Sequence, residues 1–347
     1  MSQRMDARRL RRLAIAGGAA ALALLAGTVG EWREARESWR PQAEGAVLTQ
    51  WDERLGEVEQ ITIRSAGELV AIRRTADGWV APDRANHPVN METLAALDAL
   101  MGGLDYAGPR TRDLDKHERL GLGAPEEGGS GLQVTAFSAE GERIVDILLG
   151  AQNGGEIYVR TPGERQSWAA RLPQGLAERP AIAAMADWID LDFLALDEIA
   201  RTTINPETGP AYRLERASPG SRNFSLRDPA GWTPITAGAG NGPGGALTRI
   251  RLRDVRASSE LGEAPVARHA AEAFSGLAVE LLVFADGERR WAVIRAEART
   301  NDAEVAASAL NARTEGWAYL LSDLSVDRLL RPLPEIADPR PEPDDAP

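Results

Sequence analysis

Five carboxylates crowd one stretch near the middle of the chain: Asp187, Asp190, Asp192, Asp197 and Glu198. Two acids held about 5–9.5 Å apart can cleave a glycosidic bond, one donating a proton while the other attacks or activates water. A denser set could hold Ca²⁺, but no Asp-x-Asp-x-Asp-Gly loop is present to shape such a site. The three histidines are His87, His117 and His269. None has a second histidine at ligand spacing, there is no His-Glu-x-x-His, and structural zinc wants four nitrogen or sulfur ligands. With no cysteine in the chain, thiolate ligands and disulfides are excluded. No serine sits in a Gly-x-Ser-x-Gly elbow. The run Gly238–Gly245 lacks the Lys-Ser/Thr of a phosphate loop and reads as a plain connection. No catalytic, cofactor-binding or metal-ligating residue is therefore assigned. The acidic stretch is expected to cap and solvate a junction while Trp188, Leu191, Phe193 and Leu194 pack beneath it.

Two hairpins must organise whatever surrounds that junction. Leu132–Gly150 runs apolar strand, glycine turn, apolar strand, and Leu277–Ala296 repeats the plan. Ala285-Asp286-Gly287-Glu288 is a strong turn signal because glycine accepts positive φ without a Cβ clash; Ala139-Glu140-Gly141-Glu142 is weaker. Runs such as Leu281–Phe284, apolar on both faces, read as central strands covered on each side.

The neighbours of the two hairpins follow a common order. Before the first lie short strands at Ile61–Arg64, Leu69–Arg74 and Trp79–Ala81. A helix capped by Asn90 follows, carrying Leu94, Leu97, Leu100, Met101 and Leu104 and ended by Gly102-Gly103. A shorter helix is expected over Leu114–Leu120. After the hairpin, Glu156–Arg160 pairs with Gln166–Leu172, and Ala181–Ile189 is helical. In the second half Thr202–Asn205, Tyr212–Arg216 and Asn223–Arg227 are strands, with Gly231-Trp232 echoing Gly78-Trp79. Glu263–Gly276 reads as a helix with Val266, Ala270, Ala273 and Phe274 on one side. Trp317–Leu321 is a strand, and Ser322 caps a last helix to Leu330. The helix at 90–104 is expected to be shorter or absent in the second half. The fold class is α+β: two tandem repeated units of mostly antiparallel sheet with packed helices, residues 46–196 and 197–333. Trp79, Trp168, Trp232 and Trp317 hold repeat-related places and should pack. Trp51 and Trp188, near unit boundaries, are candidates for exposure to a partner.

The N-terminus addresses location. Arg4, Arg8, Arg9, Arg11 and Arg12 precede the uncharged stretch 13–30, which approaches the length needed to cross a ~30 Å hydrocarbon core. The basic side stays in the cytoplasm, making 1–12 a cytoplasmic tail, 13–30 a single transmembrane helix and 31–45 a juxtamembrane stalk. A signal peptide cut near Gly30 is the competing reading. Either way the bulk lies outside the cytoplasm, in a bacterium the periplasm, with inner-membrane lipid as the first partner. Residues 334–347, acidic and proline-rich, read as a disordered tail. The net charge of −12 argues against nucleic acid as a partner. Lys116 is the one lysine beside 39 arginines (40 basic residues less one). A bias that strong makes single arginines poor pointers to a site.

An ordered set of short motifs adds a resemblance. These are Glu59-Gln60-Ile61-Thr62-Ile63, Gly78-Trp79-Val80-Ala81-Pro82, Pro88-Val89-Asn90 and Gly121-Leu122-Gly123-Ala124-Pro125. Gly150, Tyr158-Val159 and Trp188-Ile189-Asp190-Leu191-Asp192-Phe193-Leu194 follow. Across about residues 46–333 the chain resembles the membrane-anchored bacterial proteins catalogued as domain of unknown function 4340. That resemblance implies an auxiliary component of ABC-type export systems related to gliding-motility exporters, with a permease and other auxiliary proteins as partners and no catalytic residues to carry over. The expectation is a non-catalytic periplasmic accessory or scaffold protein. A glycan- or cell-wall-binding module is the alternative, and a carboxylate-dependent hydrolase the third reading.

Overall fold

The computed structural model describes residues 43–340. The expected cytoplasmic tail, the span at 13–30 and most of the stalk lie outside them, as does the end of the tail. Among the described residues no helix is long and apolar enough to cross a membrane.

The chain is mostly antiparallel sheet with a few helices. The first sheet is built from β1 (Gln60–Arg64), β2 (Leu69–Thr75), β3 (Gly78–Ala81), β4 (His87–Pro88), β5 (Asp105–Thr111), β6 (Leu132–Phe137), β7 (Arg143–Asn153), β8 (Glu156–Arg160) and β9 (Ser167–Arg171). Their order across the sheet is β4-β3-β2-β1-β6-β7-β8-β9-β5. The second sheet comes from β10 (Ile199–Asn205), β11 (Tyr212–Glu215), β12 (Ser225–Asp228), β14 (Leu252–Ala257), β15 (Ala267–Ala273), β16 (Leu277–Asp286), β17 (Arg289–Ala298) and β18 (Trp317–Leu321). Here the order is β12-β11-β10-β15-β16-β17-β18-β14. From β2 to β5 and from β11 to β14, the two sheets run through the same sequence of neighbours.

That order corrects the match between hairpins. The strand pair standing where β6-β7 stands is β15-β16, one strand earlier than the expected Leu277–Ala296 hairpin. The shift has a local cause. Glu263–Gly276, expected to be a helix, contains β15. Its Ala267, His269, Ala271 and Ala273 are buried on alternate positions, a period of two that belongs to a strand. Val266 and Phe274, placed on the buried side of that helix, are exposed.

Asn90 caps the first long helix as expected, its Oδ1 accepting from Glu92 N at 2.9 Å. With α1 (Thr49–Arg54) before it, this α2 (Met91–Gly103) covers the inner face of the first sheet with Leu97, Leu100 and Met101, each worth about 1.5–3 kcal/mol of burial. Gly102 and Gly103 remain helical; a Cβ on Gly103 would stand 2.5 Å from Pro173. In the second half the matching helix shrinks to α4 (Asn241–Gly244). Ala181–Ile189 gives only α3 (Met185–Trp188), and Leu114–Leu120 only two 3₁₀ turns.

Elements that the sequence pattern did not mark include β5, α5 (Glu304–Thr314) and β19 (Ala337–Pro339). Paired with β18 only at Trp291 and Ala292, β17 offers its remaining edge to α5. There Asn311 imitates a strand, donating to Ala296 O and accepting from Ala296 N, both at 2.8 Å. By contrast β19 corrects the tail. It pairs with β13 (Trp232–Pro234), and Ile336 and Ala337 are buried, so the fold continues past Pro334. Trp232 thus lies on a ribbon outside the second sheet, and β12 holds the place of β3.

The first sheet is covered on both faces. Residues 112–131 cross its outer face and bury Leu122 against β7, where Leu148 is 1% exposed. A Cβ on Gly150 would sit 2.3 Å from Leu120 O and 3.0 Å from Leu122 Cδ2. Gly150→Ala should therefore destabilise the chain by about 2–3 kcal/mol through overpacking. Urea unfolding monitored by tryptophan fluorescence checks it; an unchanged midpoint would mean the loop does not sit there. The second sheet is covered on the inner face only, by α4 and α6 (Asp323–Leu329). Leu282 and Phe284, expected to be enclosed, are half-buried.

Candidate functional site

The β4 end of the first sheet abuts the β14–β18 end of the second, and the acidic stretch runs along this seam. Trp188 closes α3 with its Nε1 donating to Ile182 O at 2.9 Å, and its carbonyl accepts from Asn90 N at 2.7 Å. The cap of α2 and the acidic stretch are thereby fixed together. Asp187 Oδ2 accepts from Ala184 N, and Thr93 donates to the Asp187 carbonyl at 2.7 Å. Asp190 Oδ1 accepts from Asp192 N at 3.2 Å, a short polar turn.

Ion pairs between the two halves complete the seam. Arg313, at the end of α5, reaches Asp190 Oδ2 at 2.6 Å and lies over the Phe193 ring at 4.3 Å. Arg84 donates to Asp254 at 2.6 Å. The backbone between Arg84 and β4 is strained, with Ala85 and Asn86 both at φ 58. It delivers His87 edge-on to Trp317, with ring centroids 4.7 Å apart. His87 Nδ1 donates to Pro88 O, and burial lowers its pKa.

Between these walls lies an open groove of about 420 Å³. Asp187, Asp190 and Asp192 line one side, Arg251 and Arg253 the other. Three of the five sequence-nominated carboxylates are thus brought together. Asp197 and Glu198 are not; both are exposed and absent from the groove's lining. Arg251, Arg253 and Arg313 carried no signal in so arginine-rich a sequence. Opposed charges in a shallow groove can hold a zwitterionic or peptide-like group, or bind the two halves to each other. The Asp190–Arg313 pair is 47% and 41% exposed, so Asp190→Asn should cost under about 1 kcal/mol. A hydrolytic site would instead lose its turnover with the fold intact.

The other histidines also serve the fold. His117 Nε2 donates to Arg165 O at 3.1 Å, and burial, with Arg160 nearby, lowers its pKa. His269 is fully buried on β15, its Nδ1 donating to Leu329 O at 2.9 Å. Its Nε2 has no partner, and burial pushes its pKa down to about 4. No group of three or more His, Asp or Glu able to hold a metal occurs among the described residues. Trp51 and Trp188, the candidates for exposure, are 1% and 0% exposed. Trp51 Nε1 donates to Asp98, so both are core side chains whose polar edges are satisfied, as buried indoles require.

No family model, curated protein or solved structure matches the chain.

Proposed function

We propose that the chain is a membrane-anchored, non-catalytic accessory protein facing the periplasm, an auxiliary subunit of an ABC-type export system. In this reading two tandem repeated α+β units follow one N-terminal span. The observation that carries it is the fate of the side chains fit for chemistry. Asp187 holds a helix start, Asp190 an ion pair across the seam, and His87, His117 and His269 each grip a backbone carbonyl. A seam cross-braced in this way suits a rigid spacer rather than a cleft that closes on substrate. The basic cluster before residues 13–30 supports the anchor, and the likeness in motif order to domain of unknown function 4340 supports the transporter.

The test is a mild-detergent pull-down of the full-length chain from its own membranes, with mass spectrometry of the co-purifying proteins. An ATPase and a multi-span permease in near-stoichiometric yield are expected. Recovery alone, or without the first 30 residues, would overturn the reading and make glycan binding the next question.

A further inference from the structure

The two sheets differ most on their outer faces. On the first, residues 112–131 form the cover. That segment carries Asp113, Asp115, Glu118, Glu126 and Glu127 against Arg112, Lys116 and Arg119. Arginines of the sheet hold it down: Arg64 pairs with Glu126 at 3.4 Å, and buried Arg160 on β8 donates to Leu122 O at 3.1 Å. On the second sheet the corresponding connection, residues 258–266, is much shorter and leaves the face bare.

What remains is a trough of about 620 Å³ across β10, β15, β16 and β17. Its floor is of small residues, among them Thr203, Ala270 and Ala278. Alanine is a poor filler for a sheet face, where branched and aromatic side chains pack best. Five arginines stand around it: Arg201, Arg213, Arg268, Arg295 and Arg299. Glu272, Glu280 and Glu297 of the lining oppose Arg201, Arg268 and Arg299, and Arg213 pairs with Glu215 and Asp228 beside it; Arg295 alone of the five enters no ion pair among the described residues.

Arg295 is the most telling. It stands on β17, the third strand from β10, as Arg160 stands on β8, the third from β1. Each faces outward. Arg160 grips the covering segment. Arg295 faces Glu280 across the strand pair, but that carboxylate turns to Arg268.

We propose that this trough docks an extended acidic segment of a partner protein, lying over the second sheet as residues 112–131 lie over the first. Small floor residues admit a peptide backbone close to the sheet, and Arg295, left without an ion pair at the centre of an arginine rim, supplies the charge complementarity, whose signature is strong salt dependence. The proposal goes beyond the membrane-anchored reading and does not depend on it, so the pull-down and the test below can fail separately.

The test titrates full-length chain in detergent against a fluorescein-labelled peptide of alternating Glu and Gly, followed by anisotropy. Saturable binding is expected, weakened at least about tenfold by Arg295→Glu and by raising salt from about 50 to about 300 mM. Arg299→Glu repeats the loss from another point on the rim. Arg119→Glu, the same charge change on the first unit, leaves binding intact, and a Lys-Gly peptide does not bind. Absence of saturable binding, or equal loss with Arg119→Glu, overturns the proposal. So does self-association that Arg295→Glu abolishes, which assigns the face to a second copy of this chain.

Discussion

Trp188→Ala should lower the unfolding free energy by about 4 kcal/mol, the scale for removing a fully buried indole. The side chain is 0% exposed and belongs to the main core. Its loss opens a cavity and leaves Ile182 O without the Nε1 donor. The effect should spread, because the same residue's carbonyl holds Asn90 N at the cap of α2. Urea denaturation should show the fall in stability, and hydrogen exchange should show earlier opening at 181–194 and at the start of α2. A loss below about 1 kcal/mol would mean that Trp188 is an exposed boundary residue after all, as its place in the sequence suggested.

The second large effect is a pH dependence set by His269. In the folded chain its pKa is pushed down to about 4, against about 6.5 in an unfolded chain. Burial is the main cause. The geometry agrees, since protonation would put a second N–H at Nε2, where no acceptor waits. Between these two values the unfolded state binds the extra proton and the folded state does not. Stability from this group is therefore complete above about pH 6.5 and lost progressively as pH falls toward about 4, amounting to about 3 kcal/mol. Carboxylates also titrate in that window, so the measurement is a difference: unfolding free energy against pH for the native chain and for His269→Gln. The variant should be less stable at neutral pH and show a shallower slope from pH 6.5 to 4. Identical slopes would remove His269 from the account.

Much of the architecture was legible wherever large side chains or a capping residue carried the pattern. Ile61 and Ile63, the Asn90 cap, both glycine turns and Trp317–Leu321 are such places. Legibility failed where alanine did the packing. In β15 the buried positions are three alanines and a histidine, so period two left no hydrophobic trace, while the spacing of Val266, Ala270 and Phe274 imitated a helix. The same poverty of large side chains hid α5, and Gly108 and Pro109 disguised β5. Mistaking β15 then moved the comparison of the two halves by one strand. The acidic wall of the groove was readable because its residues are neighbours in sequence. Its basic wall was not, since Arg251 and Arg253 lie some sixty residues along the chain from the acids they face and look like every other arginine in the chain.

The segregation of strands has a consequence during synthesis. Every strand of the first sheet comes from residues 60–171, and none of the second sheet begins before Ile199. The first half can thus complete its hydrogen bonding while later residues are still emerging, limiting wrong pairings between sheets of like design. The second half must wait. Its edge strand β14 has no partner until β18 appears, and β13 stays unpaired until residues 337–339 arrive. The nascent second half therefore carries open strand edges for longest, and that is the interval in which a holding chaperone would matter most.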